Sequence, residues 1–383
     1  MRRFIFTLAS VLYLAALTAQ ELLIDHGPYL QCPSADGMSV YFSTSNLSFS
    51  WVELKGGGYD EPRPFYGLRD GLRTAYTKQF HIDLTGLEPA TVYQYRIVSV
   101  SMDGFQPYKI KMGDKTTSPW YSFRTPDPEA ADLSFIVCND GHDNPGKLSK
   151  ELSLFPTETA DLVVYNGDMI SYYDKLTQPY DGFIDVSVGR FATSTPFIYV
   201  RGNHETRGNM ARQFHEVVGT PNARFHNVFY YGNTALLVLD TGEDKPDDTK
   251  VYAGINDFDS YRTEQARWLK SVMATRQFRK SKHKIVLMHM PPFECPDTPD
   301  NENHGCRQLH DEWLPLLNAA GIDLMLCGHT HFFLFKDKGS VGNEFPIVVN
   351  DNHSAVRVAV SGQGIEVRVV NDQGKELMNE IFR

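Results

Sequence analysis

The sequence predicts an α/β protein preceded by an all-β region. Three observations carry this. From about Gln20 to Thr125, short stretches alternate apolar and polar residues, the period of half-buried strands. Thr125-Pro126-Asp127-Pro128-Glu129 is a Pro-rich, acidic joint. Beyond it, apolar runs of strand length alternate with helical stretches, as in a largely buried sheet covered by helices. With 383 residues, 42% of them hydrophobic, the chain is long enough for two domains with a sizeable core.

The N-terminus reads Met1, Arg2, Arg3, then an apolar run from Phe4 to Leu17, then Thr18-Ala19-Gln20. A basic start, an apolar run and a small residue at the cut mark residues 1–19 as a signal peptide. The run is shorter than the ~20 residues of a spanning helix, and no later stretch is long and apolar enough. Export to the periplasm or the medium is expected, with no transmembrane segment after cleavage. The formal net charge of −10 argues against a nucleic-acid-binding patch, which needs clustered Lys and Arg. Five cysteines are too few for a disulfide scaffold of this size. Cys295 and Cys306 bracket a polar loop and are the best candidate pair. Cys138 and Cys327 lie inside apolar runs and read as buried packing residues. Cys32 is left over.

In the first region, Met38–Ser43, Ser50–Leu54 and Thr91–Val100 read as strands, and Gly56-Gly57-Gly58 as a hairpin turn. The stretch from Phe80 to Arg96, with Leu87-Glu88-Pro89 followed by Tyr93-Gln94-Tyr95, resembles the fibronectin type III sandwich. The resemblance covers roughly a quarter of the chain and implies a fibronectin type III-like domain over 20–126. It says nothing about chemistry.

In the second region, 127–383, the core strands are expected at Ser134–Cys138, Asp161–Tyr165, Pro196–Val200, Ala235–Leu239, Ile285–Met288 and Asp323–Cys327. Thr263–Met273 reads as a helix capped by Thr263, with Ala266, Leu269, Val272 and Met273 near one face. Leu309–Ala320 reads as another, ended by Gly321. From Phe345 to Phe382 the pattern returns to strands with Gly turns.

Five of these strand ends are followed at once by residue types that ligate metals. They are Asp140 and His142; Gly167-Asp168; Gly202-Asn203-His204-Glu205; His289; and Gly328-His329-Thr330-His331. Strand C-terminal ends are where open α/β sheets bind ligands. Imidazole with carboxylate suits Zn, Fe or Mn. There are too many candidate ligands for one ion and enough for two. Two ions about 3.5–4 Å apart can clamp the attacking and leaving oxygens of a displacement at phosphorus. Two Asp carboxylates against two divalent ions leave a local charge of about +2, enough to attract a phosphate dianion to an acidic protein.

Taken together and in order, these five motifs resemble the calcineurin-like metallophosphoesterases, from Asp132 to about Phe345. With the sandwich in front, the chain is similar to the purple acid phosphatase group. The resemblance implies a four-layer α/β/β/α sandwich. It implies that Asp140, His142, Asp168 and His331 hold the first metal. Asp168, Asn203, His289 and His329 hold the second, with Asp168 bridging. The catalytic residues it implies are Asp168 and His204, the latter to stabilise or protonate the leaving group. A hydroxide between the metals would attack the ester. Two departures stand out. The purple group has Asp-x-Gly in its first motif, where this chain has His142, and a Tyr three residues after the second-motif Asp, where this chain has Ser171. An imidazole would therefore replace the phenolate on the first metal, and the enzyme is expected to be colourless or pale.

Substrate contacts are expected from Asn203 and from His304, which lies in the Cys295–Cys306 loop. Arg207 could reach a phosphate, but an exposed salt bridge is the expectation. Asn144 could contact a phosphate oxygen or order its turn. The acidic loops Glu243–Asp248 and Glu294–Glu302 read as solvated. The expected substrate is a small-molecule or polymeric phosphate ester. Monoesters are the first choice and phosphodiesters the runner-up. A binding or adhesion module with a vestigial site is a further alternative, and oligomeric state is open.

Overall fold

The computed structural model describes residues 21–295 and 298–383. The predicted signal segment, 1–19, lies outside the described residues. Seven antiparallel strands between Ile24 and Arg124 form one hydrogen-bonded network. Its organiser is the long strand Gly37–Gly56. The first half of this strand pairs with Ile24–Ser34 and Ala75–Thr85, the second half with Tyr59–Phe65 and Val92–Gln106. A strand that changes partners partway wraps the sheet around its own core. Val40, Phe42, Val52, Leu54, Ile82, Tyr95 and Ile97 fill that core, at the alternate positions the sequence pattern marks.

The second region is built on two six-stranded sheets. In the first, Phe197–Val200, Leu162–Asn166 and Leu133–Cys138 run parallel. The antiparallel meander Ser354–Ser361, Gly364–Asn371 and Glu376–Phe382 extends it. In the second, Thr234–Leu239, His283–Met288, Leu324–Cys327 and Ile347–Val349 run parallel between the antiparallel edges Asn227–Tyr231 and Leu334–Lys336.

Strand periodicity decides which residues meet between the sheets. Phe135, Val137, Leu162 and Val164 of the first sheet pack against Leu236, Val238, Ile285 and Leu287 of the second. The intervening residues face outward. Ile136, Val163 and Tyr165 meet Leu148, Phe183 and Ile184 of helical segments. Leu237, Val286 and Met288 meet Ala266, Leu269, Trp313 and Leu317. The result is four layers, α/β/β/α, with a β-rich region in front. Among the described residues no helix is long and apolar enough to cross a membrane.

The helix placed at Thr263–Met273 runs from Phe258 to Ala274. Thr263 is not its cap. Its hydroxyl donates to Glu312 on a neighbouring helix, and the distant Asp247 carboxylate accepts the first-turn N–H groups of Phe258 and Asp259. A cap supplied from another loop leaves no local sequence signature. The second helix is helical from His304, five residues early, through a wider turn at Leu309–Trp313 to Ala320. Gly321 ends it at φ +66°, as a left-handed terminator should. All five cysteines are free thiols. Cys295 and Cys306 are buried with their sulfurs against one another, so the sequence pair meets in space without an S–S bond.

Aromatic residues join the two regions. The Tyr29 hydroxyl donates to the Val217 carbonyl and that of Tyr95 to the Thr193 carbonyl, both at 2.8 Å. His26 pairs with Asp185 at 3.0 Å and stacks on Tyr180.

Candidate metal centre

The parallel strands of the two sheets end on one rim, and Asn166 ties them there. Its amide donates to the carbonyls of Met288 and Leu326, at the ends of two strands of the opposite sheet. The loops leaving these strands turn sharply. Asp140, His142, Asp143, Asp168, His329 and His331 all have left-handed φ, between +47° and +73°. For non-glycine residues this costs on the order of 1 kcal/mol or more each, and such strain gathers at functional sites. Backbone bonds over-determine it here. The N–H of Asp140 donates to the Gly167 carbonyl, and that of His142 to the Asp168 carbonyl. The N–H of His329 donates to Asp140 Oδ2, and that of His204 to Asp168 Oδ1. The loops also approach too closely for side chains at two glycines: a Cβ on Gly167 would collide with the His289 ring, and one on Gly202 with the Asp168 carboxylate.

The side chains converge as a consequence. His331 Nε2 lies 3.2 Å and His142 Nε2 3.7 Å from Asp140 Oδ1, with the two imidazole nitrogens 3.0 Å apart. His289 Nε2 is 3.0 Å from Asp168 Oδ2 and 3.9 Å from Asp140 Oδ1. His329 Nδ1 lies 3.2 Å from Asn203 Oδ1. The sets Asp140–His142–His331 and Asp168–His289–His329 each bring their ligand atoms together closely enough to hold an ion. Two atoms at the centre, Asp140 Oδ1 and His289 Nε2, are buried with charge contacts but no hydrogen bond of regular geometry. Buried polar atoms are seldom left so, and a metal is a partner that both would accept. The residues present therefore fit a metal centre.

The electrostatics agree. Burial works to lower the His289 pKa, but Asp168 and Asp140 outweigh it and push it up to about 10. Burial works to raise that of Asp140, but His289, His142 and His331 hold it well below the usual carboxylate range. Two carboxylates in a buried pocket demand positive charge. Burial, aided by the neighbouring His289, lowers His329 to about 4, which keeps it neutral and able to ligate.

Each of these groups is aimed by others. The His289 Nδ1–H donates to the Asn166 carbonyl at 2.7 Å, which leaves Nε2 facing the centre. The Asn139 amide donates to Asp140 Oδ2 and is itself locked to Asn350. The Lys147 ammonium donates to the Asp140 carbonyl. Asn203 Nδ2 donates to Asp244, which orients its oxygen toward His329. Glu205 is fully buried and serves as a hub. Its carboxylate accepts the N–H groups of Asp168, Ile170 and Gly202 and the hydroxyl of Tyr199.

His204 donates from Nδ1 to the Ser171 carbonyl at 2.7 Å, and its Nε2 accepts from Arg207. Arg207 is not an exposed pair. It is half-buried and bonded to Glu243 and Asp244. The expectation of a solvated Glu243–Asp248 loop is corrected accordingly, because Glu243 and Asp244 are buried. His304 is not brought in with the others. Its ring bonds to Asp259 at 2.8 Å, although the next residue's N–H reaches the Asp244 carbonyl. Asn144 caps the helix Pro145–Glu151, accepting from the Lys147 N–H. Tyr173 is buried against Phe214 and Tyr172 is half exposed, whereas His142 stands beside Asp140 and His331.

Residues 133–333 match the family model described as calcineurin-like phosphoesterase. The chain is 22% identical over 348 residues to purple acid phosphatase 22 of Arabidopsis thaliana, covering 87% of this chain and 73% of that one. It is 27% identical over 337 residues to an uncharacterized protein of Mycobacterium tuberculosis, covering 77% of this chain but only 60% of that relative's length. Among solved structures it superposes on the purple acid phosphatase PPD1 of yellow lupin seeds with a TM-score of 0.64. That match has 13% identity and covers 94% of this chain and 73% of the other. PhoD superposes with a TM-score of 0.60 and 12% identity, over 93% and 92% of the two chains. These superpositions speak for the fold. With the family model matched over more than half its length, the chain belongs to the calcineurin-like phosphoesterase family, and is a metal-dependent phosphoester hydrolase that resembles the purple acid phosphatases.

Proposed function

We propose that the chain is an exported phosphomonoesterase with two metal ions, of Fe, Zn or Mn, at the sheet rim. In this reading residues 1–19 are a signal peptide, 20–126 a fibronectin type III-like domain and 127–383 the catalytic domain. Asp140, His142, Asp168 and His331 would hold one ion, and Asp168, Asn203, His289 and His329 the other. The single observation that carries the proposal is the convergence of two ligand sets, Asp140–His142–His331 and Asp168–His289–His329, on one rim. When bound, the ions supply Lewis acidity and a nucleophile from water at neutral pH.

The chain's own residues do the rest. The loops from the two sheets fix the ligands against one another, so little reorganisation is needed on binding. Asn203, anchored by Asp244, can meet a substrate oxygen as well as an ion. His204 is aimed by its Nδ1 bond to Ser171, with Nε2 3.9 Å from Asp168 Oδ2. Burial first, and then Arg207, lower its pKa against the pull of Asp168, so the ring is held neutral before substrate arrives. A phosphate dianion beside it would favour protonation at Nε2, which would then give up the Arg207 bond and donate to the leaving oxygen. His304 would enter only by giving up Asp259.

The purple acid phosphatase relatives favour monoesters. One observation favours diesters instead: among the described residues an imidazole, His142, and no phenol stands with Asp140 and His331. The test compares initial rates on nitrophenyl phosphate and bis-nitrophenyl phosphate after loading with Zn, Mn or Fe, with Asn203→Ala as control. A faster monoester rate supports the proposal, and a faster diester rate replaces it with the second. No rate on either with metal bound points to the vestigial-site alternative.

A further inference from the structure

The strands Val92–Gln106 and Lys109–Thr117 run on past the sheet that carries them. Pairing with Gly37–Gly56 stops at Ser48 opposite Ser101. The two strands nevertheless stay paired through Met102 with Met112, Gly104 with Lys111, Phe105 with Ile110 and Gln106 with Lys109. A two-stranded ribbon therefore projects from the β-rich region, with Pro107 and Tyr108 at its turn. Directly opposed residues share a face, and alternate residues change face. Phe105, Ile110 and Met112 thus lie on one face and Lys109 and Lys111 on the other, with Tyr108 at the turn between them. Tyr76 stacks on Phe105 with ring centroids 5.3 Å apart, extending the apolar face.

This face is bare. Tyr108 is wholly exposed, and Phe105, Ile110 and Met112 are about half exposed. A solvated ribbon would carry polar residues at these positions, because a bare hairpin gains nothing from apolar ones. The hairpin Leu68–Arg69 with Leu72–Arg73, a few residues before Tyr76, repeats the pattern with exposed leucines beside arginines. Charge is confined in the same way. From Phe105 to Lys115 there are three lysines and one aspartate, in a chain of net charge −10. Lys111 makes only an exposed pair with Asp103 at 3.5 Å, which leaves it free to exchange partners.

We propose that the ribbon tip is a peripheral attachment site for an anionic lipid bilayer. The ribbon enters tip first, so that Phe105, Tyr108 and Ile110 reach the headgroup boundary while Lys109 and Lys111, on the other face, meet the lipid phosphates. Apolar area alone would serve a second copy equally well. A two-fold pair of ribbons, however, would set cationic tip against cationic tip, whereas an anionic surface returns the attraction.

The test uses the chain beginning at Gln20, sedimented with vesicles of mixed phosphatidylglycerol and phosphatidylcholine or of phosphatidylcholine alone. Binding to the mixed vesicles is expected to be about tenfold or more tighter, and to weaken with salt. Lys109→Glu with Lys111→Glu should remove the preference for anionic lipid, and Phe105→Ser with Ile110→Ser should weaken binding to both. An unchanged thermal midpoint and an unchanged rate on a soluble phosphate ester would show that both variants remain folded. Three results would overturn the proposal: no sedimentation with mixed vesicles, equal binding to both vesicles, or variants that bind like the parent. A dimer in light scattering that the same variants dissociate, without lipid binding, would likewise overturn it and give the ribbon to a second copy.

Discussion

His289 Nε2 lies 3.0 Å from Asp168 Oδ2, while its Nδ1 donates to the carbonyl of Asn166 in the opposite sheet. One imidazole thus reads both sheets and presents its lone pair to the centre between them. Removing it removes a ligand and the charge balance of two carboxylates at once. His289→Ala, and equally Asn203→Ala, should reduce affinity for one ion by at least about 100-fold, since even outer residues cost 10–100-fold. Metal content by mass spectrometry, read beside the phosphoesterase rate, checks this. Full occupancy in either variant would remove that residue from the ligand set.

His204 is different. It is aimed through Ser171 and Arg207 and is absent from the ligand set assigned to either ion. His204→Ala should slow turnover by about 10²–10⁴-fold, the range of general acid catalysis, with both ions retained. The deficit should shrink for esters with better leaving groups, because these need less protonation. Loss of metal, or an equal deficit across leaving groups, would refute the role.

Glu205 holds the loops of Asp168 and Asn203 together. Burial and then the Asp168 charge push its pKa up to about 7, yet its oxygens are saturated with donors. Glu205→Gln points an amide N–H at backbone N–H groups. It should cost about 1–3 kcal/mol of stability, the price of a buried donor left unpaired, and weaken metal binding. A thermal melt of the metal-free and loaded protein separates the two effects. No change in either would show that the loops hold without it.

Iron-loaded protein should lack a strong visible phenolate band. His142 stands beside Asp140 and His331, while Tyr173 is packed in the core and Tyr172 points to the surface. An absorption spectrum decides, with Tyr172→Phe as the control. An intense visible band lost in that variant would place Tyr172 on the metal.

The joint between the two regions should weaken at high pH. The hydrogen bond to Asp185 raises the pKa of His26, outweighing partial burial. A raised histidine contributes its stability fully below the unfolded value of 6.5 and loses it as pH climbs through the higher folded value. The loss should be below about 1 kcal/mol, because the pair is partly exposed. His26→Asn should flatten that part of the stability profile. A profile that keeps its slope in the variant would assign the slope to another group.

Composition and local pattern were enough for the core strands and the ligand motifs. Whether residues such as Val137 and Val164 are buried is a matter of short apolar runs, and the chemical types at Asp140, Asp168, Asn203, His289, His329 and His331 stand directly behind such runs. Gly321 could be read as a helix end because a left-handed φ favours glycine. The start of Phe258–Ala274 was not legible, because Asp247 caps it from another loop. Neither were Glu205 as a hub, the burial of Glu243 and Asp244, the turn of His304 toward Asp259, nor the bare ribbon at Tyr108. Each depends on which distant segment arrives alongside, and a buried carboxylate reads like a solvated one until its partners are in place. The sequence by itself determined what each strand end could bind. Only the tertiary structure decided which ends face one another, because hydrogen bonds and charge pairs across more than a hundred residues form only when two sheets close on a common rim.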